Sequence, residues 1–418
     1  MAWTLIRGGY ILVPEDRGVA DILLLGDRIA AVGGGLQVPT GIGEGETVEA
    51  AGRVILPGLI DGHIHVMGAS GVGGPTTRTT DLQIDRITAA GVTTVVSPLG
   101  ADSLSRAIPA LLARAAALEA EGITAYCYTG GWRVPVPTLT GDPQADVAFI
   151  DRVVGIKVSI SEAMAPVCSM DELCRLAHAA WTGGRLAGKR AVLHAHIGDH
   201  PDGLTPLQEV QRRTGIPADR IVTTHANRNP HLWRQAQAYA CAGGSIDLTT
   251  MQRPETGHPQ AIRPAKAIRD ALAAGVPASR ITLSTDSGAA YPRLDAAGHT
   301  VGQHMPGPES LLQTMRELAR DGLTWSQAVA FATCHVADLL GLRQKGRIAE
   351  GCDADLTVLT ASGEVDRVYG RGRLLVEAGK PIVRGPFDGH HPACIEPPAD
   401  GALKRDVGSP ISSCGVKV

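Results

Sequence analysis

The sequence predicts an α/β fold, a (β/α)8 TIM-like barrel with a small β-sandwich domain formed from both terminal regions. Three observations lead there. Eight apolar, β-branched runs recur along the middle of the chain, and stretches with apolar residues at helical spacing separate them. Strand-rich pieces of one texture flank that middle at both ends. Histidines, a lysine and an aspartate fall at the ends of the predicted strands, where a barrel keeps its chemistry.

The elements follow in chain order. Residues 1–52 read as short strands with tight turns, in TLIRGGYILV, ADILLLGDRIAAVG and TVEAAGRVIL. Residues 53–344 carry the barrel. Its predicted strands are 54–66, 91–100, 123–131, 153–161, 191–199, 220–228, 243–250 and 280–288. Helices lie between them, as in SRAIPALLARAAALEAEG. Ser169 to Glu172 and Thr205 to Gln208 both fit a capping box at a helix start. Residues 345–386 return to the strand texture and complete the β-domain. Residues 387–418 are rich in Pro, Gly and Ser and read as a poorly ordered extension. An open doubly wound sheet is the alternative, but no Gly-rich phosphate fingerprint follows the first strand.

Composition narrows the function. Hydrophobic residues make up 44% of 418, enough for a large core in one barrel with a smaller domain. Aromatics are 3%, which argues against a stacking surface for bases or sugars. Lys plus Arg total 39 against 42 Asp plus Glu, so there is no basic footprint for nucleic acid. No apolar run is long enough to span a membrane and no signal-peptide core is present, so a cytoplasmic location is expected. None of the eight cysteines forms a CxxC pair, which leaves packing as their expected role.

The candidate chemistry sits at strand ends. Strand one ends in His63 and His65, two residues apart and therefore on one strand face. Strand four carries Lys157. Strand five ends in His194, His196 and Asp199, strand six in His225 and Arg228, and strand eight in Asp286. Imidazole nitrogen and carboxylate oxygen suit zinc. Each piece alone is weak, since an HxH pair is often core and a lysine can snorkel. Agreement across six positions in barrel order is the stronger signal.

PGLIDGHIHV, the strand-four lysine, the two later histidines and the strand-eight aspartate resemble the amidohydrolase superfamily. LVPEDRGVAD, GGPTTRTTDLQ, AAGVTTVVSPLGADSLSR, GDPQADVAFIDRVVGIK, THANRN and ITLSTDSG are similar to its isoaspartyl dipeptidases, up to about residue 386. The resemblance implies hydrolysis of an amide C–N bond at two divalent metal ions, zinc being expected. It implies His63 and His65 on the first metal, His196 and His225 on the second, and Lys157 as a CO2-derived carbamate (N6-carboxylysine) between them. Asp286 would contact the first metal and act as base, then acid. His194 lies one layer deeper and reads as core or as support for a ligand. A small-molecule substrate and a homo-oligomer are implied, with no nucleic-acid or membrane partner.

The substrate residues depart from that family. Val72 stands where a glutamate would meet the substrate's amino group, and Trp132 where a tyrosine would polarise the carbonyl. Ala101 replaces a threonine, Met164 an arginine and Ala290 a serine; Arg228 is retained. Polar groups give way to apolar ones. The expected substrate is therefore less polar and carries a carboxylate for Arg228, such as an N-acyl amino acid, a cyclic amide or imide, or a ureido compound. Three alternatives stay open: a true isoaspartyl dipeptidase with relocated contacts, a mononuclear deaminase, or a non-catalytic metal-binding scaffold.

Overall fold

In the computed structural model, which describes residues 2–385 apart from 13, 15, 39 and 42, all eight barrel strands form. Strand one is Leu59–Asp61, strand two Val92–Ser97, strand three Thr124–Gly130 and strand four Val153–Ile160. Strand five is Val192–Ile197, strand six Ile221–Thr224, strand seven Ser245–Thr249 and strand eight Ile281–Ser284. They pair in sequence order and all in parallel, so the doubly wound alternative is overturned. The seam between strands eight and one is bridged just past their ends. Asp286 N donates to the His63 carbonyl at 2.9 Å, and His65 N to that of Ser287 at 2.7 Å.

One predicted strand is two. Val54–Pro57 leaves the barrel and pairs antiparallel with Leu356–Leu359, while Leu59–Asp61 enters it. Gly58 stands at the break, where a Cβ would lie 2.1 Å from Thr93 Oγ1. His63 and His65 therefore follow the strand rather than end it, which corrects the shared-strand-face argument.

The two terminal pieces meet through that Val54–Pro57 pairing in one nine-stranded mixed sheet. Trp3–Ile11, Gly18–Leu25, Arg28–Gly33 and Gly45–Glu49 lie on one side of it. Leu356–Leu359, Val365–Gly370, Arg373–Glu377 and Lys380–Pro381 lie on the other. The sheet has its own core, with Ile6, Ile22, Ile55, Leu356 and Tyr369.

Helices cover the barrel because their apolar residues fall on one face. Ile108–Glu121 buries Ile108, Leu111, Ala115 and Leu118. Met170–Leu186 opens with the expected capping box, Ser169 and Glu172 each bonding the other's backbone N–H. The second expected box does not form. Leu204 is buried, its N–H is held by Gln235 at 2.9 Å, and its backbone is already helical. Thr205 is thus drawn into the first turn and does not cap it.

The barrel interior changes character along its axis. Val154, Val192 and Val222, near strand starts, pack with Val336, Ala337 and Leu340 of the helix Cys334–Leu340. Toward the strand ends, buried carboxylates take over. Asp247 accepts hydroxyls from Thr224, Thr282 and Ser284 at 2.8, 2.8 and 2.5 Å, tying strands six to eight together. The six described cysteines are free. Among the described residues, no helix is long and apolar enough to cross a membrane. The extension expected over 387–418 lies outside the described residues.

Candidate metal centre and substrate cavity

The strand ends converge on one polar cluster. Asp61, fully buried, accepts from His63 N at 3.3 Å, from Thr285 N at 3.1 Å and from the Thr285 hydroxyl. This one carboxylate fixes the segments that carry His63 and Asp286. Burial pushes its pKa up to about 7, against those hydrogen bonds. Gly288 must be a glycine: its φ is 87°, and a Cβ would sit 2.1 Å from the His65 carbonyl. His225 and Asp286 take φ of 67° and 60°, the left-handed region in which non-glycine residues store strain.

Three of the histidines are held through Nδ1. His65 Nδ1 lies 3.2 Å from the Pro98 carbonyl, which can only accept, so Nδ1 carries the proton. His63 Nδ1 bonds His194 Nε2 at 2.9 Å, and His225 Nδ1 bonds Thr249 Oγ1 at 2.7 Å. The Nε2 atoms of His63 and His65 turn to Asp286 Oδ1, at 3.5 and 3.1 Å. With Nδ1 committed to Pro98, His65 Nε2 can approach that carboxylate only through a proton or a cation between them. The His196 ring is 4.5 Å from that of His225, and His225 is 5.2 Å from His63.

Burial first, and then Lys157 for His63, Arg228 for His196 and the His196 ring for His225, push these three imidazoles well below the usual pKa, so their lone pairs stay available. Lys157, 1% exposed, points its Nζ into this cluster without a hydrogen-bond partner. Burial pulls its pKa down to about 7, chiefly offset by Asp286. Single ligand atoms of His63, His225 and Asp286 already lie within 4.8 Å of one another. Neutral imidazoles, an ionised carboxylate and an orphaned buried amine make a donor set that fits divalent cations.

His194 lies beneath the cluster, 2% exposed and stacked on Tyr128 at 4.5 Å, with Nε2 committed to His63. It supports a ligand histidine from behind.

A cavity of about 230 Å³ opens above the cluster, and every candidate substrate residue lines it: Val72, Ala101, Trp132, Met164, Arg228 and Ala290. Val72 and Met164 are 59% and 60% exposed, apolar side chains at the cavity mouth. The Trp132 ring packs on His196 at 4.6 Å. Arg228 is less free than the sequence implied. Its Nη1 lies 3.4 Å from Asp199 and 3.8 Å from Glu162, and Glu162 is also 3.5 Å from His196 Nε2.

The sequence reading passed over Glu162 and Tyr291, both in the cavity wall. Glu162 comes two residues after strand four, a place where a barrel reading could have sought a carboxylate. Tyr291 starts a hairpin beyond strand eight, and no local motif marks it.

Residues 261–375 match the Amidohydrolase family. The crystal structure of a beta-aspartyl dipeptidase from Fervidobacterium islandicum AW-1, in complex with beta-Asp-Leu, superposes with a TM-score of 0.82 at 32% identity. That match covers 91% of this chain and 98% of the other. Dihydropyrimidinase from Brevibacillus agri shares the fold, with a TM-score of 0.65 at 18% identity over 91% and 96% of the two chains. Among curated relatives, an adenine deaminase of Deinococcus radiodurans is 44% identical over 64 residues, and a dihydroorotase of Geobacter sulfurreducens 42%. Those matches span only 11% and 14% of the respective relatives and 15% of this chain.

Proposed function

We propose that this chain, which belongs to the amidohydrolase superfamily close to its isoaspartyl dipeptidases, uses two metal ions to hydrolyse an amide bond in a substrate less polar than an isoaspartyl dipeptide. The observation that carries the proposal is the pairing of one cluster with one wall. Neutral imidazoles, Asp286 and an unpartnered Lys157 surround a point at the floor of a cavity whose side is Val72, Ala101, Trp132, Met164 and Ala290.

The residues divide the work. His63, His65 and Asp286 would hold one ion, and His196 and His225 the other. Zinc is proposed for this nitrogen and oxygen donor set, although cobalt or manganese would also suit it. Lys157 can join them only after its neutral amine adds CO2 and releases a proton, which leaves a carbamate anion as a carboxylate-like ligand. Bound there, the ions would supply an activated water and polarise the scissile carbonyl. Asp286 takes the water's proton and passes it to the departing nitrogen. Arg228 meets a substrate carboxylate, in competition with Asp199 and Glu162. Lys157 also speaks against a mononuclear deaminase, in which that lysine would have no metal to bridge.

One observation favours a second reading, a genuine isoaspartyl dipeptidase. Glu162 is the one carboxylate besides Asp286 among the described residues lining the cavity, and it could receive the ammonium that Val72 cannot.

A hydrolysis screen of zinc-loaded protein tests both. It would set beta-Asp-Leu, the ligand of the Fervidobacterium structure, beside N-acyl amino acids, cyclic amides and ureido compounds. The expected result is a kcat/KM for beta-Asp-Leu at least ~10²-fold below the best substrate, because an unpaired buried charge costs several kcal/mol. Efficient cleavage of beta-Asp-Leu would favour the second reading. Turnover of none of the four classes would remove both.

A further inference from the structure

Tyr291 opens a two-stranded hairpin, Tyr291–Leu294 paired with Thr300–His304, directly after the loop that carries Asp286. Its side chain is not a rim residue. It is 3% exposed, it lines the cavity, and its hydroxyl donates to Asp286 Oδ2 at 3.0 Å. Two imidazoles neighbour the ring, His258 with its centroid 5.5 Å away and His304 at 6.5 Å.

The two oxygens of Asp286 thus have different surroundings. Oδ1 faces the Nε2 atoms of His63 and His65, the point at which a cation fits. Oδ2 is the oxygen held by the phenol. A carboxylate can turn about its last bond, and turning would exchange the two oxygens. A single donor on one oxygen, fixed by a packed ring, opposes that rotation.

We propose that Tyr291 is a positioning residue for hydrolysis, holding Asp286 so that Oδ2 alone faces the reacting atoms. The inference rests on the hydrolase reading given above. The step balances on the residues named. An O–H bond of water breaks as its oxygen bonds the carbonyl carbon, and that proton goes to Oδ2. The C–N bond then breaks, the same proton moves to nitrogen, and the carboxylate returns to its starting charge. Tyr291 keeps its own proton throughout. Its benefit falls on the second transfer, in which an amine cannot leave without a proton delivered along one direction. A phenolate leaving group needs no such delivery.

The test is Tyr291→Phe in the full chain, which keeps the ring and removes one hydroxyl. Two probes with the same acetyl group are compared, N-acetyl-leucine and p-nitrophenyl acetate. The expected result is a kcat for N-acetyl-leucine lowered roughly 10- to 100-fold with KM within about twofold, a part of what proton transfer contributes. For p-nitrophenyl acetate kcat should fall less than about threefold, since its leaving group departs unprotonated. A second reading needs no turnover. In cobalt-loaded protein the visible absorption reports the geometry of the Asp286 ligand, and the variant should shift it at unchanged metal content and melting temperature. Equal losses on both probes with an unshifted cobalt spectrum would assign Tyr291 to packing and overturn the proposal. If the wild type cleaves neither probe, acetyl hydrolysis fails as a reading of the function. The cobalt spectrum then decides the role of Tyr291 alone, a shift supporting it and no shift overturning it.

Discussion

The floor and the wall of the cavity are built by different rules. The floor is made of residues at or just past strand ends, and three of its histidines are each tied to a second group: His63 to His194, His65 to the Pro98 carbonyl, His225 to Thr249. The wall is made of loops. Val72 and Met164 stand exposed there, and Arg228 shares two carboxylates without a close bond to either. A barrel fixes the direction of a strand-end side chain through hydrogen bonds on both sides, whereas a loop can change its side chains at little cost to the fold. The difference teaches that the reaction is written on the floor and the substrate on the wall.

The largest effect should come from the floor. Lys157→Ala should lose bound metal and nearly all activity, measured by elemental analysis beside turnover, and short carboxylic acids should restore part of both. A variant that keeps full activity would make the lysine structural and erase the contrast. Asp286→Asn should lower kcat by ~10²–10⁴-fold while circular dichroism shows the fold intact, the range expected for a proton-transfer group. A change under about tenfold would move the base elsewhere.

Wall substitutions should be milder and should act on substrate choice. Arg228→Met should lower kcat/KM for carboxylate-bearing substrates by about 10-fold or more and leave neutral cyclic amides within about twofold, as loss of a charge-assisted contact implies. Indifference of both classes would remove the carboxylate from the substrate. The smallest expected effect is a gain. Val72→Glu should raise kcat/KM for beta-Asp-Leu by about 10-fold, or ~1.4 kcal/mol, by giving the ammonium a partner. No gain would mean that Glu162 already serves it.

The same contrast explains what was legible in the sequence. Seven of the eight strands read as single strands because period and β-branching mark them, and the candidates His63, His65, Lys157, His196, His225 and Asp286 line one cavity. The break at Gly58 was hidden, because the strand before it pairs with Leu356–Leu359, distant in sequence. The missing cap at Thr205 has the same kind of origin, in the bond from Leu204 to Gln235. Asp61 stood inside a quoted motif, but its role depends on Thr285, more than two hundred residues away. Tyr291 lies in a hairpin beyond strand eight, whose direction, unlike that of a barrel strand, has no period to read, whereas Glu162 sits two residues past strand four, within reach of a barrel reading. Arg228 was legible as a cation, and its two acidic neighbours were not.

The central claim is that the floor is a two-metal site. Elemental analysis of active protein purified with zinc and bicarbonate tests it most directly. About two metal ions per chain is the expected result. One ion or none per chain, in protein that still hydrolyses its substrate, would contradict it.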